Sequence, residues 1–239
     1  LLMTTDPEST HGLTSGQIVT QTFAAFTNTS LTGTTVIYST GLSSVAGDSF
    51  IEAGILTFDS TTLTGTMSLD TNDGGTASTN TGTFSYSVSA NGHVTITPAS
   101  GTGPDLYLID TNKAFLMGKG SNAEAGALNP QTGGPTFTAA SVSGNYFSGE
   151  AEYAAVKGVD VSSGIYTSTG SGTLNITFDK SSRVIPFLIS GQSLQVTLTV
   201  DPTGRATDTF GDIYYIISPT KLVLMDGSGS TSDVSILEQ

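Results

Sequence analysis

Two histidines, His11 and His93, are the side chains best suited to act as a base near neutral pH, and neither has the company such a base needs. A Ser–His–Asp arrangement requires a nucleophile on a tight turn, and no Gly-x-Ser-x-Gly elbow occurs. His11 lies in a loop rich in Thr, Ser and Gly, His93 follows a hairpin turn, and both read as solvated. Glu8, Glu52, Glu124, Glu150, Glu152 and Glu238 are scattered, most of them in loops or at strand ends. A glycosidase sets two such carboxyls across a sugar, usually beside tryptophan platforms, and this chain has no tryptophan. No catalytic residue is assigned, and the chain reads as a non-enzyme.

Calcium is the one ligand that the residue types suggest. Asp70-Thr71-Asn72-Asp73-Gly74 brings several oxygens to a glycine turn, with Asp70, Asn72 and Asp73 as candidate ligands. An EF-hand loop would carry glutamate at its twelfth position, where Thr81 stands, so the plainer reading is an Asp-Gly hairpin turn. No cofactor is expected, and the absence of cysteine removes thiolate metal sites and disulfides. Lys113 and Lys221 hold matching places before Leu-Met strands and read as charges that guard a sheet edge. Asn28-Thr29-Ser30 and Asn175-Ile176-Thr177 match the glycosylation pattern, so glycans are possible partners.

The elements that would position these residues repeat. Leu1-Leu2-Met3 leads to Gln21, Phe115-Leu116-Met117 to Gln131, and Val223-Leu224-Met225 to Gln239, with the glutamines 110 and 108 residues apart. Ser30-Leu31-Thr32-Gly33 matches Ser141-Val142-Ser143-Gly144, and Thr57-Phe58-Asp59 is paired with Thr177-Phe178-Asp179. Asn91-Gly92 matches Thr203-Gly204, and Asp105 to Ile109 is aligned with Asp212 to Ile216. Apolar and polar residues alternate with a period of two between turns rich in Gly, Asn and Asp. The expected fold is all-β: two tandem antiparallel sandwich or small-barrel domains of about 110 residues, 23–132 and 133–239, joined at Gly133-Gly134-Pro135. Glu150 to Lys157 is the only stretch with room for a helical turn. Residues 1–22 look like the last strands of a preceding unit, or donor strands for a neighbour.

Composition narrows the function further. Lys and Arg number 7 against 20 acidic residues, a net charge of −13, which argues against nucleic acid and anionic membranes. No apolar run is long enough for a membrane helix, and no signal peptide is evident at the start. Abundant Thr, Ser and Gly, few lysines and no cysteine point to a secreted or cell-surface protein.

Composition and repeat length together resemble tandem Ig-like or β-sandwich repeats of bacterial secreted surface and filament proteins. That resemblance implies a non-enzymatic, extracellular structural role: a filament subunit, pilus-like, or a repeat of a surface array. Its partners would be copies of itself or adjacent repeats. In some pilin domains of this kind a strand lysine forms an amide with asparagine, which makes Lys113 and Lys221 candidates for such a bond. Leu1, Leu2, Met3, Ile18 and Val19 would form the assembly segment, adding strands to a neighbouring sheet. The alternative is a carbohydrate- or ligand-binding adhesin. It would show either an exposed aromatic cluster from Tyr146, Phe147, Tyr153 and Tyr166 or an enclosed apolar pocket.

Overall fold

Threonine and other β-branched residues fit a pleated, half-buried surface, and in the computed structural model almost every alternating run becomes an antiparallel strand. The structure describes residues 2–4, 14–16, 18–44, 49–150, 160–182, 188–227 and 233–239. His11, Glu8, Leu1 and most of the 150–157 stretch lie outside them.

Eight strands close into a first barrel: β3 (Gly33–Leu42), β4 (Ser49–Asp59), β5 (Thr64–Asp73), β6 (Thr76–Val88), β7 (His93–Pro98), β8 (Asp105–Asp110), β9 (Lys113–Met117) and β10 (Ala123–Pro130). Each strand pairs with the next, and β10 returns to β3. Inward residues such as Ile37, Leu56, Phe58, Phe84, Val94, Leu106 and Leu128 fill the interior. A second sheet follows: β11 (Ser143–Glu150), β12 (Asp160–Thr169), β13 (Thr173–Ser182), β14 (Leu188–Thr197), β15 (Thr199–Val200), β16 (Arg205–Thr207), β17 (Ile213–Ser218), β18 (Lys221–Met225) and β19 (Val234–Glu238). Its edge strands β14 and β15 are separated only by Leu198, so one stretch of chain supplies both edges of a curled sheet. With β14 and β15 taken together as the counterpart of β6, the strand order is that of the first barrel.

Registers correct two of the alignments read from sequence. Phe58 lies on β4, whereas Phe178 lies on β13, the counterpart of β5, so the two Phe-Asp landmarks are not equivalent. Leu108 N–H donates to Gly92 O and Ile216 N–H to Gly204 O, so Tyr107 corresponds to Tyr215 and Leu106 to Tyr214. Aligning Asp105 with Asp212 is one residue out along this strand, which exchanges its two faces.

Both units are closed at one end by the same device. Gln21 Nε2 donates to Asn91 O and Leu108 O at 3.1 and 2.7 Å, and Gln131 Nε2 donates to Thr203 O and Ile216 O at 2.9 Å each. Phe26 and Phe137 follow as buried stoppers, each leading into a single 3-10 turn, Asn28–Ser30 or Ala139–Ser141. In each turn Ser30 or Ser141 accepts the N–H of Thr27 or Thr138. Gln131 is therefore a clasp that ties the end of the first barrel to the base of the second sheet. Gln21 makes the same bonds at the base of the first barrel, and Gln239 Nε2 instead donates to Ser143 O and Pro219 O of its own unit. Upstream of Gln21, β1 (Leu2–Thr4) and β2 (Thr14–Gly16) form a short two-stranded sheet.

Gly204 sits at φ +94°, and an added Cβ would lie 2.5 Å from Gln131 Nε2 and 3.0 Å from Phe137. We expect Gly204→Ala to cost about 1–3 kcal/mol in urea unfolding, from left-handed strain and displacement of the clasp. An unchanged midpoint would contradict the role given to the clasp.

Candidate functional site

Strand β17 is apolar at every position from Ile213 to Ile217 and buried on both faces. Tyr214 and Ile216 face the interior of their own sheet, while Ile213, Tyr215 and Ile217 face the first barrel. There they join Val223, Met225 and Val234 against Val36, Ile51, Ala53 and Ile55, which point outward from β3 and β4. A surface of this kind hides apolar area from water, worth roughly 25 cal/mol per Å² buried. The two units are thus joined face to face.

One charge lies in that seam. Asp70, on the outer face of β5, is 2% exposed. Arg205 Nε and Tyr215 Oη each reach its Oδ2 at 2.5 Å from the second sheet, and Thr79 Oγ1 donates to Oδ1 at 2.6 Å. Burial alone would raise the carboxyl's pKa, but the hydrogen bonds from Arg205, Thr79 and Tyr215 and the guanidinium charge outweigh it and hold it below its usual value of 3.8. Burial and the bond to Asp70 push the Tyr215 phenol up, so it stays protonated and donates.

The same positions recur on the outer faces. Strand registers place Phe147 and Ile165 of β11 and β12 where Val36 and Ile55 stand in the first barrel, and Asp179 where Asp70 stands. On the first barrel, His93, Tyr107, Phe115 and Met117 stand where Arg205, Tyr215, Val223 and Met225 stand in the second sheet. Phe147 is 61% exposed and Met117 50%, and Ile165 and Tyr107 are also open. A shallow groove of about 270 Å³ runs along Phe147, Ile165, Phe178 and Asp179.

The residues singled out from sequence fall elsewhere than expected in several cases. Asp70 and Asn72 are buried strand residues, and the turn itself is Gly74-Gly75 at φ +57° and +92°. Asp70 is committed to Arg205, Tyr215 and Thr79, and Asn72 Oδ1 accepts the Gly75 N–H at 2.8 Å. Asp73 alternates to the other face of β5, so the three do not converge as a calcium site would require. Among the described residues no group of three acidic or histidine side chains is placed to hold a metal.

His93 is half-buried rather than simply solvated: its Nε2 lies 3.1 Å from Asp105 and its ring rests on Tyr107 at 5.1 Å. Lys119 Nζ reaches the same Asp105 oxygen at 3.1 Å. Lys221 pairs with Glu238 Oε1 at 2.5 Å, an open ion pair of small energetic weight, and Lys113 is exposed at the start of β9. Tyr146 is fully buried with its hydroxyl donating to Pro219 O, and Tyr166 packs against the same core. Only Phe147 of the expected aromatic cluster therefore faces outward, Tyr153 lying outside the described residues. Leu2 and Met3 pair with Gly16 and Ser15, while Ile18 and Val19 are exposed.

Sequence reasoning missed one association altogether. Glu52 on β4 and Glu124 on β10 are not scattered: both line a cavity in the mouth of the first barrel. The Glu52 carboxyl is pushed up to about 8 by burial first and by the Glu124 charge second. Glu124 is raised by burial, against a hydrogen bond from Ser39 Oγ at 2.7 Å. No family model and no curated protein matches the chain.

Removing Arg205 strands a buried carboxylate in the seam, so Arg205→Ala should cost about 3 kcal/mol and let the two units unfold in separate calorimetric transitions. Because Asp70 is held below 3.8, its contribution is present above that pH and is lost as the pH falls through its lowered folded value. Asp70→Asn should flatten that acid limb of the stability curve; an unaltered limb would exclude the assignment. Glu52 acts in the opposite sense. Its raised pKa makes stability fall as the pH rises from 4.5 to about 8, and Glu52→Gln should remove that decline in thermal melts.

Proposed function

We propose that this chain is a non-enzymatic structural protein of the cell exterior, a filament subunit or a stretch of surface array built from stacked β units. One observation carries the reading: the two faces that meet inside the chain recur, unpartnered by described residues, on its outer sides. Phe147, Ile165 and Asp179 repeat the donor face of Val36, Ile55 and Asp70. His93, Tyr107, Phe115 and Met117 repeat the acceptor face of Arg205, Tyr215, Val223 and Met225. A donor face on one copy meets an acceptor face on the next, a head-to-tail contact that extends into a filament where its rotation does not close a ring. Asp179, whose Oδ1 accepts from Ser190 Oγ and Gly191 N–H, then faces His93 and Lys119 across the joint, both of which reach Asp105. The composition supports an extracellular setting, since Thr and Ser solvate the remaining sheet surface with few charges.

This reading moves assembly from strand edges to sheet faces. A closed barrel has no free edge for a donor strand, so β1 and β2 have no place to join in the first barrel. The second sheet ends in the edge strands β14 and β15, where strands from a neighbour could still add.

Sedimentation velocity over a range of concentrations tests the proposal. Wild-type protein should form a growing series of species, and Phe147→Asp or Met117→Asp alone should stop growth. An equimolar mixture of those two variants should stop at a dimer, because one intact donor face and one intact acceptor face remain. Wild-type protein that stays monomeric throughout, or variants that still grow, would overturn it.

A further inference from the structure

The mouth of the first barrel holds a cavity of about 300 Å³, within the lower range of small-molecule sites. Ile37, Leu56, Met67, Leu69, Phe84 and Ile96 make its walls, and the loop residues Ser100 to Pro104 with Lys119 and Gly120 form the rim. Asn80 and Thr81 add polar groups to the lining, and Glu52 and Glu124 complete it. Ser39 satisfies one oxygen of Glu124, whereas no side chain among the described residues hydrogen-bonds Glu52. The nearest cation, Lys119, is turned to Asp105 on the outer surface at 3.1 Å.

Two carboxyls facing one cavity are costly, since burial disfavours their ionised form and each disfavours the other's charge. The barrel nonetheless makes room for them. An added Cβ at Gly118 would lie 2.1 Å from Glu124 Cγ, so the missing side chain there is what seats Glu124. In the second sheet Ser162 holds the place of Glu52, and Asp233 that of Glu124. Neither the clasp, the seam nor the outer faces use Glu52 or Glu124.

We propose that this cavity binds a small organic cation, a primary ammonium carrying an apolar chain. An ammonium offers three N–H donors to the free oxygens of Glu52 and Glu124, and these charge-assisted bonds are strongest where water is excluded. Its chain lies against Met67, Leu69, Phe84 and Ile96. A carboxylic or phosphoric ligand would meet like charge. A calcium ion needs six to eight oxygens, and among the described residues no third acidic side chain joins Glu52 and Glu124. Glu52 carries a proton near neutrality, so capture of an ammonium there releases one proton to solvent. Glu124 and Lys119 are the other charged groups that line the cavity.

Isothermal titration of the full chain with n-hexylammonium, hexanoate and hexan-1-ol tests the proposal. Hexylammonium should bind one to one, hexanoate should not bind, and hexanol should bind at least about tenfold more weakly, the loss expected for a missing charge-assisted bond. At pH 7 the heat should vary with the ionisation enthalpy of the buffer, which reports the released proton. Glu52→Gln with Glu124→Gln should weaken hexylammonium by at least about tenfold. Both substitutions replace a half-buried carboxyl by a neutral amide, so the variant should stay folded, with wild-type circular dichroism. Gly118→Ala, which displaces only Glu124, should give an intermediate loss. Equal binding of hexanol, unchanged binding by the double variant, saturation by calcium in place of the amine, or no binding of hexylammonium would each overturn it. None of these outcomes bears on stacking of the outer faces.

Discussion

A carboxylate at 2% exposure between two sheets is tolerable only when cations and donors reach it, and Asp70 obtains them from the neighbouring unit. That requirement fixes how the units meet. Arg205 and Tyr215 face each other across β16 and β17, so a slip along the seam would leave Asp70 unpaired in an apolar surface. The apolar residues around it supply the attraction, and the ion pair supplies the register. Strands β17 and β18 consequently carry apolar residues on both faces, whereas β8 of the first barrel leaves Tyr107 open to solvent.

Each unit has its base capped by a glutamine from the chain just ahead of it. Gln131 leaves β10 and caps the backbone carbonyls of Thr203 and Ile216, as Gln21 caps those of Asn91 and Leu108. These carbonyls sit at a turn and on a strand, where an unpaired acceptor would be costly. Gly92 and Gly204 lack the Cβ that would displace the glutamine and the phenylalanine behind it. Clasp and seam together hold the two units at two places, which favours a stiff pair over beads on a flexible linker.

Much of the local structure was legible in the sequence, because alternation and glycine turns act over a few residues. The β5–β6 hairpin at Gly74-Gly75 and the repeat of Gln21 and Gln131 are examples. Correspondence between units was harder to read. Leu106-Tyr107-Leu108 and Tyr214-Tyr215-Ile216 match only when the pairing with β7 and β16 is known, since aligning Asp105 with Asp212 gives a plausible string with inverted faces. Glu52 and Glu124 were illegible for a different reason. They come from strands on either side of β3, and only closure of the barrel brings them to one cavity. The uninterrupted apolar run at Ile213 to Ile217 was the visible sign of the seam, because a strand with one wet face would alternate.

The absence of cysteine allows a clean test of whether the seam within the chain is repeated between chains. In the seam β4 lies against β18, and Ile165 and Met117 hold the corresponding positions on the outer faces. A double variant with Ile165→Cys and Met117→Cys, treated with a short bifunctional thiol reagent, should give a ladder of covalent multimers on a denaturing gel. Each single cysteine variant should remain monomeric. Dimers from a single variant would indicate a symmetric contact, and a double variant that gives no ladder would contradict head-to-tail stacking.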